Sequence, residues 1–407
     1  MTRAAATPIE DAFDARARDL PPFREAAFEA FKRLGFPHRR IEGWRWSDFH
    51  GALREAAASP ALLHEAAPPL ADDLAGLKPI ELRIINGRID VQAYAFPEGV
   101  RFGVIDAVGS IPEIEANPIA ALNIAMTKKA LGIEIAAGVD FGQPILIRHI
   151  NTGAGFSFAQ SLLRVSEGAR ATLIETYEGE GAGFHSHLFH LVLKDGARLD
   201  RALIHETGPD AVLHSVFAPK IEARADFNQA SLSMGSRLAR HETHAHFVAA
   251  GAKADIASAA LLSGERHSDF TSEVVLIGAD CTTRQRHKGV ARDHGRNVFQ
   301  GKFRVERSAQ KADARMNADA LLLSDKAESN AKPELEIYAD DVQCAHGSTA
   351  GALDPNAIFY MRQRGLGEEA ARALLIEAFL SSVFENVAHP GIAQVFHHRV
   401  AKWLEGA

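Results

Sequence analysis

The chain has 407 residues, a hydrophobic fraction of 46% with only 7% aromatic residues, and a formal net charge of −7. Its length exceeds one ordinary core and implies two or three structural units or an elongated repeat, while the negative balance argues against general binding to nucleic acid. No run approaches the roughly 18 uncharged apolar residues of a membrane span; the N-terminal MTRAAATPIEDAFDARARDLPPF has no apolar signal core, and Cys281 and Cys344 alone cannot build a disulfide framework, so a reduced, cytoplasmic location is expected.

Residues 8–35 show helical spacing, with Phe23, Ala27, Phe28 and Phe31 on one stripe and Gly35 as a stop. In EGWRWSDF, Trp44 and Trp46 read as anchors that pin this helix to the next layer. A second, alanine-rich helix is expected over 51–67, short apolar strands over 80–105, and a further helix over 118–132, PIAALNIAMTKKALG.

From about residue 145 the pattern shortens to alternating segments broken by glycines and polar turns. A repeat emerges: GARATL at 168, GARLDR at 196, EARADF at 222, GAKADI at 251, GADCTT at 278 and QKADAR at 310. With Thr172, Asp200, Asp226, Asp255, Asp280 and Asp313 as markers, the spacings are 28, 26, 29, 25 and 33. A unit of two or three short strands cannot bury its own apolar face, so stability must come from stacking successive units into a β-solenoid. Small Ala, Ser and Thr residues suit a narrow interior. An antiparallel sandwich is the weaker reading, because it gives no reason for a period sustained over the whole region.

After FYMRQRGLG the pattern is helical again. Glu368 and Glu369 suit the positive end of a helix dipole, and Ala370, Ala373, Leu374, Ile376, Phe379, Leu380 and Val383 form a broad apolar face to about Val387. A second helix opens at Pro390. Helical units at both termini are expected as caps on the solenoid's unpaired strand edges, and the wide face of the last pair reads as a docking site for another protein. The resulting layout is mainly β: an N-terminal helical domain with a few short strands over 1–140, a β-helix core over 141–360 and a C-terminal helical domain over 361–407.

Strand alternation puts His185, His187 and Phe189 on one face, and His244 with His246 on another, so either pair offers half a metal site. No third ligand is fixed by the spacing, and a solvated strand face is the preferred reading. Cys281 lies among Arg284, Arg286, His287, Lys288, Arg292, Arg296, Lys302 and Arg304, whose cations would favour a thiolate. Its position in the repeat, otherwise filled by Ala or Ile, favours interior packing, with the cations as a solvated face. Cys344-Ala345-His346 closes the repeats just before the helices. Both side chains share one side of a strand, and three readings stand: a ligand pair for a soft or borderline metal such as iron, a nucleophile with its base, or two structural residues. Two ligands do not complete an iron–sulfur site, so a partner chain would supply the rest. Neither a P-loop nor a dinucleotide fingerprint is present.

Between Val298 and Ala371 the chain carries, in order, Phe299-x-Gly301, Ala309-Gln310-Lys311, Leu321-Leu322-Leu323-Ser324, Pro333-x-Leu335-Glu336-Ile337, Asp340-Asp341-Val342-x-Cys344-x-His346-Gly347 and Phe359-Tyr360. These runs resemble the SufB/SufD family of the Suf iron–sulfur cluster assembly machinery, and its SufD branch in the Cys-x-His-Gly run and the short chain. Weaker echoes at Glu42-x-Trp44, Leu122-Asn123, Pro144-Ile145 and His267-x-Asp269 extend the resemblance over the whole chain. It implies a right-handed parallel β-helix between helical domains, acting as a non-enzymatic scaffold in a cytoplasmic complex with SufB and the ABC-type ATPase SufC. It further implies a transient iron–sulfur cluster or iron at the junction with SufB, with His346 as a ligand and Cys344 beside it. The isolated chain is then expected to hold no cofactor, with a homodimer as its alternative assembly, and residues 367–388 match the element that docks SufC. One departure is Leu276, where family members often carry a histidine shortly before the position of Cys281. The rival classes are a β-helix carbohydrate-active enzyme, for which Asp340 and Asp341 point to opposite faces, and a purely structural docking protein.

Overall fold

The computed structural model describes residues 21–53, 67–90, 97–109, 114, 116–385, 387 and 389–406. One turn, repeated, generates most of the architecture. Gly168, Gly196, Arg224, Gly251, Asp280 and Lys311 all take a left-handed conformation, with φ of 65, 64, 53, 74, 57 and 61°. Glycine adopts this bend without penalty and Asp280 tolerates it, whereas at Arg224 and Lys311 the bend carries a steric cost that the coil's packing must offset. The next residue points into the corner and must be small: Ala169, Ala197, Ala225, Ala252, Cys281 and Ala312 are all buried. These bends are 28, 28, 27, 29 and 31 residues apart, a tighter period than the sequence markers gave. Thr172 and Asp200 are true register partners, but Asp255 aligns with Asn228 rather than Asp226, so part of the apparent scatter came from markers two residues out of phase.

Each bend feeds a strand that pairs in parallel with the strand one coil earlier. One sheet stacks β1 (Ile80–Ile85), β5 (Ile145–Ile150), β7 (Arg170–Gly179), β9 (Arg198–Thr207), β11 (Asp226–Ser233), β13 (Lys253–Leu262), β15 (Thr282–Ala291), β17 (Asp313–Leu322) and β19 (Gln343–Gly351), with β2 (Arg88–Asp90) antiparallel at its start. The facing sheet stacks β4 (Lys129–Ile135), β6 (Phe156–Val165), β8 (Phe184–Leu193), β10 (Val212–Ile221), β12 (Leu238–Phe247), β14 (His267–Leu276), β16 (Arg296–Val305) and β18 (Glu328–Ile337), with β3 (Val100–Asp106) antiparallel on β4. The result is a mainly β protein, a β-solenoid of about 8 turns with helices at both termini. The sequence-based border at 140–141 falls between β4 and β5, and β1 already pairs with β5 while β4 pairs with β6.

Between the sheets runs a continuous apolar lane that includes Leu173, Phe189, Leu199, Phe217, Phe227, Phe247, Phe299 and Phe303. The interior is therefore wider than the small residues alone suggested: Phe189 and Phe217 meet edge to face with ring centroids 5.4 Å apart. Alanine fills most of the corners instead, and the buried polar residues include large ones such as Glu175, His187, Arg201, His205, His241 and His287. Gly301 is explained here, since a Cβ at that point would run into the Met316 sulfur and the Phe299 ring.

The helices cover flanks, not ends. Helix α1 (Pro22–Leu34) and α2 (Pro118–Met126) pack Phe28, Phe31, Ile119 and Leu122 with Trp44 and Phe49 onto Phe156, Phe158 and Phe184, on the outer face of the second sheet. The Asn117 side chain caps α2 by accepting from Ile119 and Ala120 N–H, and Pro118 supplies the preset first turn. That helix stops at Met126, not at 132; residues 129–135 are β4, whose alternating Leu131, Ile133 and Ile135 complete the solenoid core. Trp44 is a buried anchor with the Arg240 guanidinium 3.8 Å over its ring, whereas Trp46 is only half-buried. The expected helical segments within 8–20 and 54–66 lie outside the described residues.

Helices α4 (Glu368–Phe384) and α5 (Pro390–Glu405) lay Ile376, Leu380, Val383, Phe384, Val395 and Phe396 on Ile174, Ile204, Leu232 and Val290, on the outer face of the first sheet. Parallel sheets need both faces covered, which is the task these helices perform. The buried line of α4 is rotated from the expected one: Ala371 is buried, while Ala370 and Leu374 face out.

Candidate functional site at the open end of the solenoid

Among the described residues no strand lies beyond β18 or β19, so both sheets stop at the same coil with free edges. On β19, Cys344 is in register with Ala314 and His346 with Met316. Ala314 and Met316 belong to the interior cluster, so Cys344 and His346 continue two inward-facing rows at a point where no further coil closes over them. Both therefore sit at the mouth of the solenoid. Cys344 is half-buried and packs on the core, while His346 is exposed.

Burial pushes the Cys344 thiol above its ordinary range, with Asp313 adding to the shift against a backbone bond at Ala314. That is the opposite of what an activated nucleophile needs. An imidazole and a thiol at the mouth remain suited to a borderline cation, provided further ligands come from outside. Among the described residues the one group of three His, Cys, Asp or Glu side chains with converging ligand atoms lies elsewhere, at His149, Glu175 and His187.

Below the mouth is a recess of about 210 Å³ whose lining includes His287, Asn297, Asp319, Ser329, Ser348 and Thr349. His287 is held between Ser258 Oγ and Asn297 Oδ1, each 2.9 Å away, and Asn297 donates to Ser329 Oγ at 3.0 Å. Burial lowers His287 to about 4, so the recess is polar but its imidazole is uncharged. Burial raises the Asp319 carboxyl, yet bonds from Lys288 at 2.7 Å, Thr349 at 2.5 Å and Asn317 at 2.6 Å outweigh it and hold the group below the usual carboxylate range.

The other sequence candidates separate. His185 and His187 are not on a solvated face but inside the solenoid, and burial holds His185 at about 3. Alternation shows which residues share a face, but not which face is inside. His244 and His246 do face outward. Burial would lower His244, but hydrogen bonds and charge from Glu242, 2.9 Å away, and Glu273, 3.8 Å away, carry it up to about 9. Cys281 fills the small-residue slot of its corner, fully buried, its thiol raised by burial and donating to Ala249 O at 3.3 Å. The neighbouring cations are paired rather than free on a solvated face: Arg286 with Asp255 at 2.8 Å, Lys288 with Asp319 at 2.7 Å and Lys302 with Glu336 at 3.0 Å.

Near the same end, α3 (Pro355–Gln363) and α4 present Phe359 at 64%, Tyr360 at 58% and Leu374 at 45% exposure, and of these only Leu374 belongs to the apolar face expected from the periodicity. No described helix is long and apolar enough to cross a membrane.

A parallel β-solenoid with flank-covering helices and, among the described residues, an uncovered terminal coil defines a protein built by stacking one coil on the next. The family model for the SufBD core domain of SUF-system iron–sulfur cluster assembly matches residues 148–379, and the chain belongs to that family. It is 28% identical to the iron–sulfur cluster assembly protein SufD of Escherichia coli K12, over 97% of this chain and 95% of that protein. It is 26% identical to protein ABCI7, chloroplastic, of Arabidopsis thaliana, over 93% and 85% of the two chains. An iron–sulfur cluster assembly SufBD family protein of Synechocystis is 25% identical over 89% and 86%.

Proposed function

We propose that this chain is a non-enzymatic scaffold subunit of a cytoplasmic Suf complex, pairing through its open coil with SufB and docking the ATPase SufC on α3 and α4. The observation that carries the reading is the terminal coil itself. Two sheets end together with unpaired edges, a natural template for strand addition, and they do so beside an exposed imidazole and a thiol. Left bare, such an edge invites aggregation; covered by a related solenoid, it extends both sheets.

In this arrangement His346 faces the seam with SufB and acts as a ligand to the nascent cluster or iron, which is cargo rather than a resident group. Cys344 stands one inward position earlier and supplies a second donor once the metal lowers its thiol pKa. Neutral imidazole suits a transient site, because it binds iron and releases it when the partner's conformation or protonation changes. The exposed ridge of Phe359, Tyr360 and Leu374 supplies apolar anchors for SufC.

The test is anaerobic iron and sulfide titration of the chain co-purified with SufB and SufC, with and without His346→Ala. Loss of cluster formation with an unchanged complex supports the reading; normal assembly by the variant defeats it.

A further inference from the structure

The solenoid holds a second set of metal-ligating groups, at the opposite end from the mouth and unused by the function above. We propose that His149, Glu175, Tyr177 and His187 form a buried site for one zinc-like divalent ion that staples the first coils together.

The ligand atoms of His149, Glu175 and His187 lie within 4.8 Å of one another. His149 Nε2 is 3.5 Å from Glu175 Oε1, and His187 Nδ1 is 3.8 Å from the same oxygen. A tetrahedral ion with bonds of about 2.0–2.2 Å places its ligand atoms roughly 3.3–3.6 Å apart, close to those separations. Tyr177 Oη is the fourth donor in reach, 3.3 Å from Glu175 Oε1 and 2.7 Å from His187 Nδ1, and because its ring stacks 4.5 Å from that of His149 it must turn to meet the ion. The short Tyr177–His187 hydrogen bond is the contact an ion would replace.

An independent observation points to a missing ligand. His149 is 2% exposed, and its buried Nε2 stops 3.5 Å short of Glu175 Oε1, too far or too poorly aligned for a well-formed hydrogen bond. Buried polar atoms are rarely left so, and each one asks for an explanation.

The surroundings are those of a supported site. Ser161 Oγ lies 3.0 Å from His187 Nε2, which fixes the ring and leaves Nδ1 for the ion. Arg201 grips Glu175 Oε2 at 2.6 Å, leaving Oε1 to face Tyr177 and the two imidazoles, and is itself held by Gln229 Oε1 at 2.7 Å and by the Phe217 ring 4.0 Å away. Two imidazoles, a carboxylate and a phenol, with no sulfur, favour a borderline cation over soft copper(I) or hard magnesium. On binding, Tyr177 releases its proton to solvent. Carboxylate and phenolate then offset the ion's two charges, with the Arg201 guanidinium keeping its own beside Glu175, and one proton is lost per ion bound.

The site spans β5, β7 and β8, so it joins adjacent coils of one sheet to the facing sheet across the interior. His149, Glu175, Tyr177 and His187 are at most 3% exposed, so the ion enters as the coils close during folding and exchanges slowly. β7 is six strands from β19, roughly 29 Å at ~4.8 Å per strand, so this site and the mouth are separate.

The experiment uses the full chain, produced in zinc- or cobalt-supplemented medium, dialysed against EDTA and analysed for metal. One chelator-resistant ion per chain is expected, with visible d–d bands for cobalt. His346→Ala and Cys344→Ser retain it, so failure at the mouth and failure here are distinguishable. Ser161→Ala, refolded in zinc buffers, binds about 10- to 100-fold more weakly. The double variant His149→Ala/His187→Ala loses the ion. A native chain without a chelator-resistant ion overturns the proposal, as does a folded double variant that keeps one. Should the double variant fail to fold, unchanged zinc affinity in Ser161→Ala overturns it instead.

Discussion

The middle coils and the last coil are built from the same alternating strands yet differ in what surrounds them. Val305 on β16 is fully buried, while its register partner Ile337 on β18 is 42% exposed. Phe303 is likewise sealed, and its partner Leu335 is only half-buried. The side chains are of similar hydrophobicity, so composition does not make the difference. A coil is buried by the coils on either side of it, and the last has a neighbour on one side only. The terminal coil is thus a solenoid unit with half of its packing still to be made.

The largest effect that would sharpen this contrast is functional. His346→Ala should leave stability within about 0.5 kcal/mol, as for other exposed positions, while cluster assembly in the reconstituted complex is lost. Unfolding of the variant would show that the terminal coil already packs like an interior one. Next in size is the stability contrast itself. Phe303→Ala should cost about 3–5 kcal/mol in urea denaturation, because it opens a cavity between complete coils. Ile337→Ala should cost below ~1 kcal/mol in the isolated chain and weaken pairing with SufB. Equal losses in the two variants would erase the distinction between middle and end.

A third effect separates the outer face from the interior by pH. His244 is held up at about 9 in the folded protein by Glu242 and Glu273. A raised pKa contributes stability that is fully present below the unfolded value near ~6.5 and is lost as pH rises through about 9. The loss should be on the order of 3 kcal/mol, read from urea midpoints at pH 6.5 and 9.5, and absent in His244→Gln. The inward histidines act in the opposite direction. His185 at about 3 and His287 at about 4 stay neutral when folded, so their environment costs stability as pH falls below ~6.5. A flat profile in both windows would mean that neither network survives in solution.

The sequence made some of this legible and hid the rest for physical reasons. The corner motif was readable because a left-handed bend and a small inward residue are demanded at one point in every coil, so Gly168-Ala169 and Gly196-Ala197 repeat openly. α5 was readable from Pro390 and its spacing. The end of α2 was not, since Ala130, Leu131 and Ile133 fit a helix stripe as well as a strand; pairing with β3 and β6 decides it. Nor could alternation reveal that His185 and His187 face inward, because inside and outside exchange with a one-residue shift of register. At the mouth, the spacing put Cys344 and His346 on one side of a strand. That this side lines an open interior followed only from Ala314 and Met316 one coil earlier.

The smallest expected effect concerns the other cysteine. Cys281 occupies the corner slot that alanine fills in neighbouring coils, and its sulfur donates to Ala249 O at 3.3 Å and faces Ala279 O at 3.6 Å. Serine keeps a donor there but its shorter bond loosens the contact, so Cys281→Ser should cost about 1 kcal/mol or less. Iron binding by the assembled complex should be unchanged, since burial raises this thiol and no mouth opens beside it. The paired measurement on Cys344→Ser gives the comparison its edge. A loss of iron in Cys281→Ser as large as in Cys344→Ser would mean that middle coils take part in ligation, and that the difference between closed and open coils does not govern where the metal goes.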